Sequence, residues 1–432
     1  MISVKDIIRG WNRFFFEPES PLPIAVYRIL LGMVVLANYA LMLPDVDDWF
    51  GEQATVSFTT AGTMVGGSGI NLFDWLPHSD VAVWAVFIVS CVAAAMVTVG
   101  LFTRTSSVVM FLTLVTLHHR NSIILNSGDT FLRAATFFLM FTHAGTALSL
   151  DRLIRIARGK EAGSPQPRAP WAMRLIQVQM AFLYFYAFVW KVLGVMWLSG
   201  TAVYYTSRLY DFWRFPVPYV FEHVWTIKIW SWTTLLVELA LGTLIWIKEL
   251  RYWVLLSGVL LHLGIEYSMN IPLFAAVMIT AYVTFVEPAK LERVFAWLRG
   301  KFNSVSRFEK PVPVLYDGDC SFCVRAMEVV RRMDAFRRLE FHPMNVIETQ
   351  AQFPDFDPAR GEREMLARTS EGWVGGFFAF RHIAVHLPLL WPVLPLLYLP
   401  PVRSAGDRLY QRIAARRYCI LKPEQYASER EH

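Results

Sequence analysis

The stretch VAVWAVFIVSCVAAAMVTVGLF, residues 81–102, runs for 22 positions without a charged side chain. A helix that crosses a bilayer needs about 20 mostly apolar residues, so this segment reads as a membrane span. Working outward, comparable stretches lie at 24–43, 106–125, 130–148, 172–198, 229–247, 252–268 and 271–286. They predict a polytopic α-helical membrane domain of about eight spans within residues 1–300. Composition agrees, with 55% hydrophobic and 18% charged residues and a mean hydropathy of +0.38. Soluble domains carry about 25% charged residues, and this composition excludes a disordered chain, a collagen-like repeat and a disulfide-stapled secreted domain. The 16 tryptophans suit helix ends held in interfacial belts. A net charge of +6 is small for 432 residues. It points to loops beside membrane lipid and not to nucleic acid.

The N-terminal segment MISVKDIIRGWNRFFFEPESPLP lacks the apolar core and cleavage site of a signal peptide. Residues 2–16 read instead as an interfacial helix ending before Pro18. Loop charges set the orientation. Residues 44–80 hold Asp45, Asp47, Asp48, Glu52, Asp74 and Asp80 without Lys or Arg, whereas 149–171 hold Arg152, Arg155, Arg158, Lys160 and Arg168. The positive-inside rule then predicts a multi-pass protein of the inner (plasma) membrane with both termini cytoplasmic. Beyond residue 288 a basic linker (Lys290, Arg293, Arg299, Lys301, Arg307, Lys310) leads into an α/β segment, 311–432. Its pattern predicts strands at 312–316 and 339–342, a helix at 321–333, a hairpin of 365–369 with 373–374, and helices near 377–387 and 404–417. The stretch LPLLWPVLPLLYLPP, 387–401, is too broken by proline for a span and reads as packed core or membrane-surface contact.

The sharpest motif in this tail is Tyr316-Asp317-Gly318-Asp319-Cys320-Ser321-Phe322-Cys323. It sets Cys-x-x-Cys between a strand and the first turn of a helix. Free N–H groups and the helix dipole there favour a thiolate at Cys320, and Cys323, one turn on and more sheltered, is placed to resolve a mixed disulfide. The alternative is half a zinc site completed by His342 or Cys419, but no second Cys-x-x-Cys occurs and no metal is expected. These residues, with Gly376, Ala379-Phe380-Arg381, Pro400, Leu409-Tyr410, Ile413-Ala414 and Arg417-Tyr418, resemble the DCC family of thiol-disulfide oxidoreductases over about 312–420. The resemblance implies a thioredoxin-like fold, catalytic Cys320 and Cys323, and a cytoplasmic thiol reductant as partner.

Ionisable groups within spans cost about 2.5–3.5 kcal/mol each on insertion scales, so by default they mark function or a buried partner. Arg28, His118, His119, Arg120, Asp129, Arg133, Lys191, Glu238, His262 and Glu266 qualify. Lys191, about two turns from the outer end of its span, either snorkels to the interface or serves as a base. Glu238 reads equally as the partner of a buried arginine, and His262 as a satisfied core histidine. The order Tyr27-Arg28-Ile29-Leu30-x-Gly32, Asn126-Ser127-Gly128-Asp129, Ser149-Leu150-Asp151, Tyr184-Phe185…Lys191…Trp197-x-x-Gly200, Glu238 and His262 before Phe274 resembles the HTTM domain, the membrane part of vitamin K-dependent gamma-carboxylase and its relatives. That resemblance implies Lys191 as the base acting on a vitamin K-like hydroquinone, with His262, Glu238, Asp129, Asn126 and Trp197 binding the quinone cofactor.

Joined, the two halves predict a membrane-bound redox enzyme that pairs a quinone-using site with a thiol-disulfide oxidoreductase. Membrane lipid is its expected surrounding partner. Two alternatives stand beside this reading: a maturation factor whose partner is a secreted peptide, and a membrane-anchored thiol oxidoreductase whose spans are only structural.

Overall fold

An apolar chain in a bilayer finds no water for its backbone N–H and C=O groups and must satisfy them within helices. The computed structural model describes residues 3–64, 69–216, 219–305, 311–361 and 363–416, so that Arg307, Lys310, Arg417, Tyr418 and Cys419 lie outside the described residues. The chain divides into two compact units, Met1–Arg152 with Ser164–Leu291, and Leu153–Gly163 with Glu292–His432.

In the first unit all eight apolar stretches are helical. They follow α1 (Val4–Phe16) as α2 (Leu22–Met42), α3 (Asp80–Val99), α4 (Thr103–Arg120), α5 (Ser127–Leu139), α6 (Trp171–Val192), α7 (Val224–Thr243), α8 (Arg251–Ser268) and α9 (Phe274–Ala281). Among the described residues, four segments are long and apolar enough to cross a membrane by themselves: Leu22–Phe50, Asp80–Val99, Trp171–Val192 and Val224–Trp246. A fifth is a broken pair, Phe274–Phe285 with Pro288–Asn303, bent by 115°. By length and composition, the eight stretches thus include, among the described residues, four straight candidate spans and one bent pair, with α4, α5 and α8 helical beside them. The reason is local. Helix α4 ends in His118, His119 and Arg120, and α5 starts only at Ser127, because Asn126 and Asp129 form a capping box there. Helix α1 opens with a capping box between Ser3 and Asp6 and buries none of its side chains. Val4, Ile7, Ile8 and Trp11 lie exposed at helical spacing, as an interfacial helix requires.

Two of the arginines within apolar stretches are struts. Arg28 is fully buried and donates from Nη1 to the Ala144 carbonyl at 2.8 Å and from Nη2 to that of Leu148 at 2.5 Å. Arg120 donates from Nε, Nη1 and Nη2 to the carbonyls of Phe50, Val56 and Gly51 at 3.0, 2.7 and 2.7 Å, with Phe58 under its guanidinium. An arginine fork suits this task because five rigid donors meet several carbonyls at once. Replacing Arg120 by Met leaves three buried carbonyls unpaired at about 1–3 kcal/mol each. We expect Arg120→Met to lower stability by roughly 3–5 kcal/mol in detergent unfolding, and Arg120→Lys to recover less than half of that.

In the second unit the sequence-predicted elements appear in order after α10 (Pro288–Val305): β1 (Val312–Tyr316), α11 (Ser321–Met333), β2 (Leu339–Pro343), β3 (Leu366–Thr369), β4 (Gly372–Gly375), α12 (Gly376–Val385) and α13 (Pro400–Arg416). The sheet order is β2-β1-β3-β4, with β1 parallel to β2 and antiparallel to β3, and β3–β4 a hairpin. Val314, Tyr316, Met327, Leu339, Ala367, Ala379 and Ile383 form its core. One feature was not legible in sequence: segment Leu153–Gly163 joins this unit, where the Gly163 carbonyl accepts from Arg332 at 2.9 Å.

His386 follows α12 and is buried, and burial pushes its imidazole down to about 4, with the charges of His382 and Arg338 adding to the effect. A group that binds its proton less readily when folded costs stability as pH falls from its unfolded value near 6.5 toward 4. The hydrogen-exchange protection factors of peptides covering 376–387, corrected for the intrinsic pH dependence of amide exchange, should fall over that window, and His386→Gln should flatten the dependence.

Candidate functional site

The thiol pair sits where β1 hands the chain to α11. Asp317 Oδ1 accepts from the amides of Asp319 at 3.0 Å and Cys320 at 3.2 Å, closing the turn that aims the chain into the helix. Cys320 is the N-cap of α11, in extended geometry, and its Sγ accepts from the Cys323 amide at 3.4 Å. A cap sulfur with an N–H donor beside it is stabilised as the thiolate by the same groups that a cap carboxylate would use. No disulfide joins the two cysteines. Their burial reverses the expected order. Cys320 is only 7% exposed, whereas Cys323 is partly open although it packs against the core of the domain.

Asp317, Cys320 and Cys323 bring three potential ligand atoms within 4.8 Å of one another. Structural zinc takes four. His342 is not part of that group: its Nε2 lies 3.7 Å from Glu340 and its ring packs against Phe353. Cys419, the other sequence candidate, lies outside the described residues.

The second constellation is built by four helices of the membrane unit. Lys191 and Tyr184 stand two turns apart on one face of α6. Gly242, one turn beyond Glu238 on α7, lets that helix touch the backbone of α6, since a Cβ there would lie 2.9 Å from the Phe185 amide nitrogen. This close approach delivers Glu238 to Lys191, and Nζ donates to Oε1 at 2.6 Å. The partner of Glu238 is thus a lysine on the neighbouring helix and not a buried arginine. The Lys191 ammonium also lies 5.3 Å from the centre of the Trp197 ring. On α8, Gly258 leaves room for the Tyr282 hydroxyl, where a Cβ would intrude to 2.5 Å. Tyr184 Oη then bonds both His262 Nε2 at 2.6 Å and Tyr282 Oη at 2.8 Å. Phe274 closes edge-on against the His262 ring. Glu238 Oε2 and His262 Nδ1 are buried without a hydrogen-bond partner among the described residues. Unpaired polar atoms at this depth are costly, and an assembly that keeps two of them is suited to a ligand bearing its own polar groups.

Asn126 and Asp129 are placed differently. Asn126 Oδ1 accepts from the Gly128 amide at 2.7 Å, and Asp129 Oδ2 accepts from that of Asn126 at 2.8 Å, so both cap α5. Asp129 Oδ1 is 4.0 Å from His118 Nε2. Glu266 pairs with Arg214. Sequence reasoning missed Tyr282 and the role of the Tyr184 hydroxyl. The spacing of Tyr184, seven residues before Lys191, was available in the sequence. Nothing local marks Tyr282, which joins the site through the fold.

Helices of spanning length followed by a small mixed sheet that carries Cys-x-x-Cys at a helix N-terminus define a membrane protein with a thioredoxin-like domain. Residues 16–289 match the family model of the HTTM domain, and the chain belongs to that family. Residues 314–422 match the model described as DCC1-like thiol-disulfide oxidoreductase. No curated protein and no solved structure matches the chain. The protein is accordingly a membrane redox protein.

Proposed function

We propose that the Cys320–Cys323 pair exchanges disulfides with thiol partners, and that the membrane unit holds a quinone beside Lys191. The observation that carries the first half is the cap geometry, with Cys320 Sγ receiving the Cys323 amide. The Cys320 thiolate attacks a substrate disulfide, forming Cys320–S–S–R and releasing one thiolate. Cys323, deprotonated, then attacks the Cys320 sulfur, expels the second substrate thiolate and leaves a Cys320–Cys323 disulfide. The substrate gains two electrons and takes two protons from solvent. A cytoplasmic thiol reductant, the expected partner, returns the pair to dithiol by the same steps reversed. Cytoplasmic termini, read from loop charge, agree with a catalytic and not a structural disulfide.

The second half rests on the two unpaired atoms beside the Lys191–Glu238 pair. A quinone, whose ring carries two oxygens, would offer polar groups to His262 Nδ1 and to the Lys191–Glu238 pair. A bound hydroquinone supplies two-electron chemistry that no side chain here can supply. Lys191 Nζ would pass its proton to Glu238 across their hydrogen bond and take one from a ligand hydroxyl, and Glu238 and the Trp197 face would hold the ammonium that results. Tyr184 keeps the His262 ring oriented. Glu238 also favours a second reading, because a buried carboxylate and ammonium can simply neutralise each other in a structural span. Native mass spectrometry of the detergent-purified chain separates the two. A bound isoprenoid quinone, lost in Glu238→Gln, supports the cofactor reading; a ligand-free chain of unchanged mass in every mild detergent supports the structural one.

A further inference from the structure

In the second unit, the proline-broken stretch after α12 is folded but not covered. Leu389, Trp391, Val393, Leu396, Tyr398 and Leu399 are between 43% and 54% exposed. Pro392 and Pro395 break this stretch into a 3-10 segment, Pro388–Val393, and a single turn, Leu394–Leu397. Together with α12 it is as apolar as a membrane span, although the bend between them is 114°. Exposed apolar area on this scale marks an interaction surface. Its border is basic. Between residues 376 and 415 stand Arg381, Arg403, Arg408 and Arg412 against Asp407 alone. Arg381 lies over the Tyr398 ring at 4.5 Å and Arg403 over that of Phe378 at 5.1 Å, so the cationic rim is continuous with the aromatic edge of the patch. On α13, Leu409 and Ile413, one helical turn apart, are exposed apolar side chains as well.

We infer that this face inserts shallowly into the headgroup region of an anionic bilayer and so holds the thiol domain at the membrane surface. Leucines and a tryptophan bounded by arginines are what such a surface binds: apolar side chains enter the acyl boundary while guanidinium groups meet phosphates. The occupant is also at hand. The same chain crosses the membrane, and few residues separate α10 from β1, so the bilayer remains within reach of the domain throughout its life. A water-filled surrounding would leave the patch without a partner, and the proline breaks prevent it from crossing.

The test uses the full chain reconstituted in vesicles of phosphatidylcholine with phosphatidylglycerol. A photoreactive benzoylphenylalanine replaces Trp391, or, as a control elsewhere on the domain, exposed Glu348. After irradiation, mass spectrometry reads the adducts. We expect lipid adducts at 391 well above those at 348, and fewer in pure phosphatidylcholine. The double variant Arg403→Glu with Arg408→Glu should lower the yield by about fivefold or more, the factor expected for lost basic residues near an anionic surface. Far-ultraviolet circular dichroism melts confirm that these exposed substitutions leave the fold unchanged. Adducts at 391 that fall mainly on residues of this chain or of a second copy overturn the proposal. So does a lipid yield no higher than at 348, or one indifferent to lipid charge and to the arginines.

Discussion

Cys320→Ser reduces disulfide exchange by the full chain to the uncatalysed rate, whereas Cys323→Ser leaves a trapped mixed disulfide at Cys320. The asymmetry follows from position on α11. Serine keeps the N-cap hydrogen bond to the helix, so the fold survives, but its hydroxyl is not ionised at neutral pH and does not attack sulfur. With Cys323 replaced, the first attack still proceeds and the resolving step has no thiolate. Non-reducing gels of the Cys323→Ser protein incubated with a disulfide-bearing peptide should therefore show a reductant-sensitive adduct that Cys320→Ser abolishes. Because Cys320 is the more buried residue of the pair, bulky alkylating reagents should reach Cys323 more readily than the trapping result alone suggests. Trapping through Cys323 in a Cys320→Ser background would exchange the two roles. Cys91, on α3 in the membrane unit, should be dispensable.

The second large effect concerns Lys191. If its Nζ is the base, Lys191→Ala slows consumption of a naphthohydroquinone probe by about 10²–10⁴-fold, the usual contribution of a positioned acid or base. Lys191→Arg should fail as well, because a guanidinium keeps its proton. Alanine, however, also leaves Glu238 buried and unpaired, which by itself costs about 3–5 kcal/mol. A double variant removes that ambiguity. Lys191→Met with Glu238→Leu deletes both charges, and its thermal stability should return to near the wild-type value. Stability restored without probe turnover is the expected result for a base. Full turnover in Lys191→Arg would show that only positive charge matters at this position.

Most of the architecture was legible along the chain because local rules decide it. Unbroken apolar runs such as 81–102 must form helices in lipid. Asp317-Gly318-Asp319 between an apolar strand and an amphipathic segment must form a turn into a helix, and α11 spans the residues read for it, 321–333. The Cys-x-x-Cys motif was visible for the same reason, since both thiols belong to one turn. What only the tertiary structure decided were the partners of buried charges. Arg28, Arg120, Lys191 and Glu238 look alike in sequence, as isolated ionisable residues in apolar stretches. Packing makes the first two carbonyl-bound struts and the last two an ion pair, because the partner groups lie tens of residues away, and Lys191 and Glu238 meet where Gly242 lets α6 and α7 touch. Tyr282 enters the site in the same manner, through space left by Gly258. The burial order of Cys320 and Cys323 likewise depends on how the rest of the domain packs around the helix cap, and spacing along a chain carries no information about which thiol is covered.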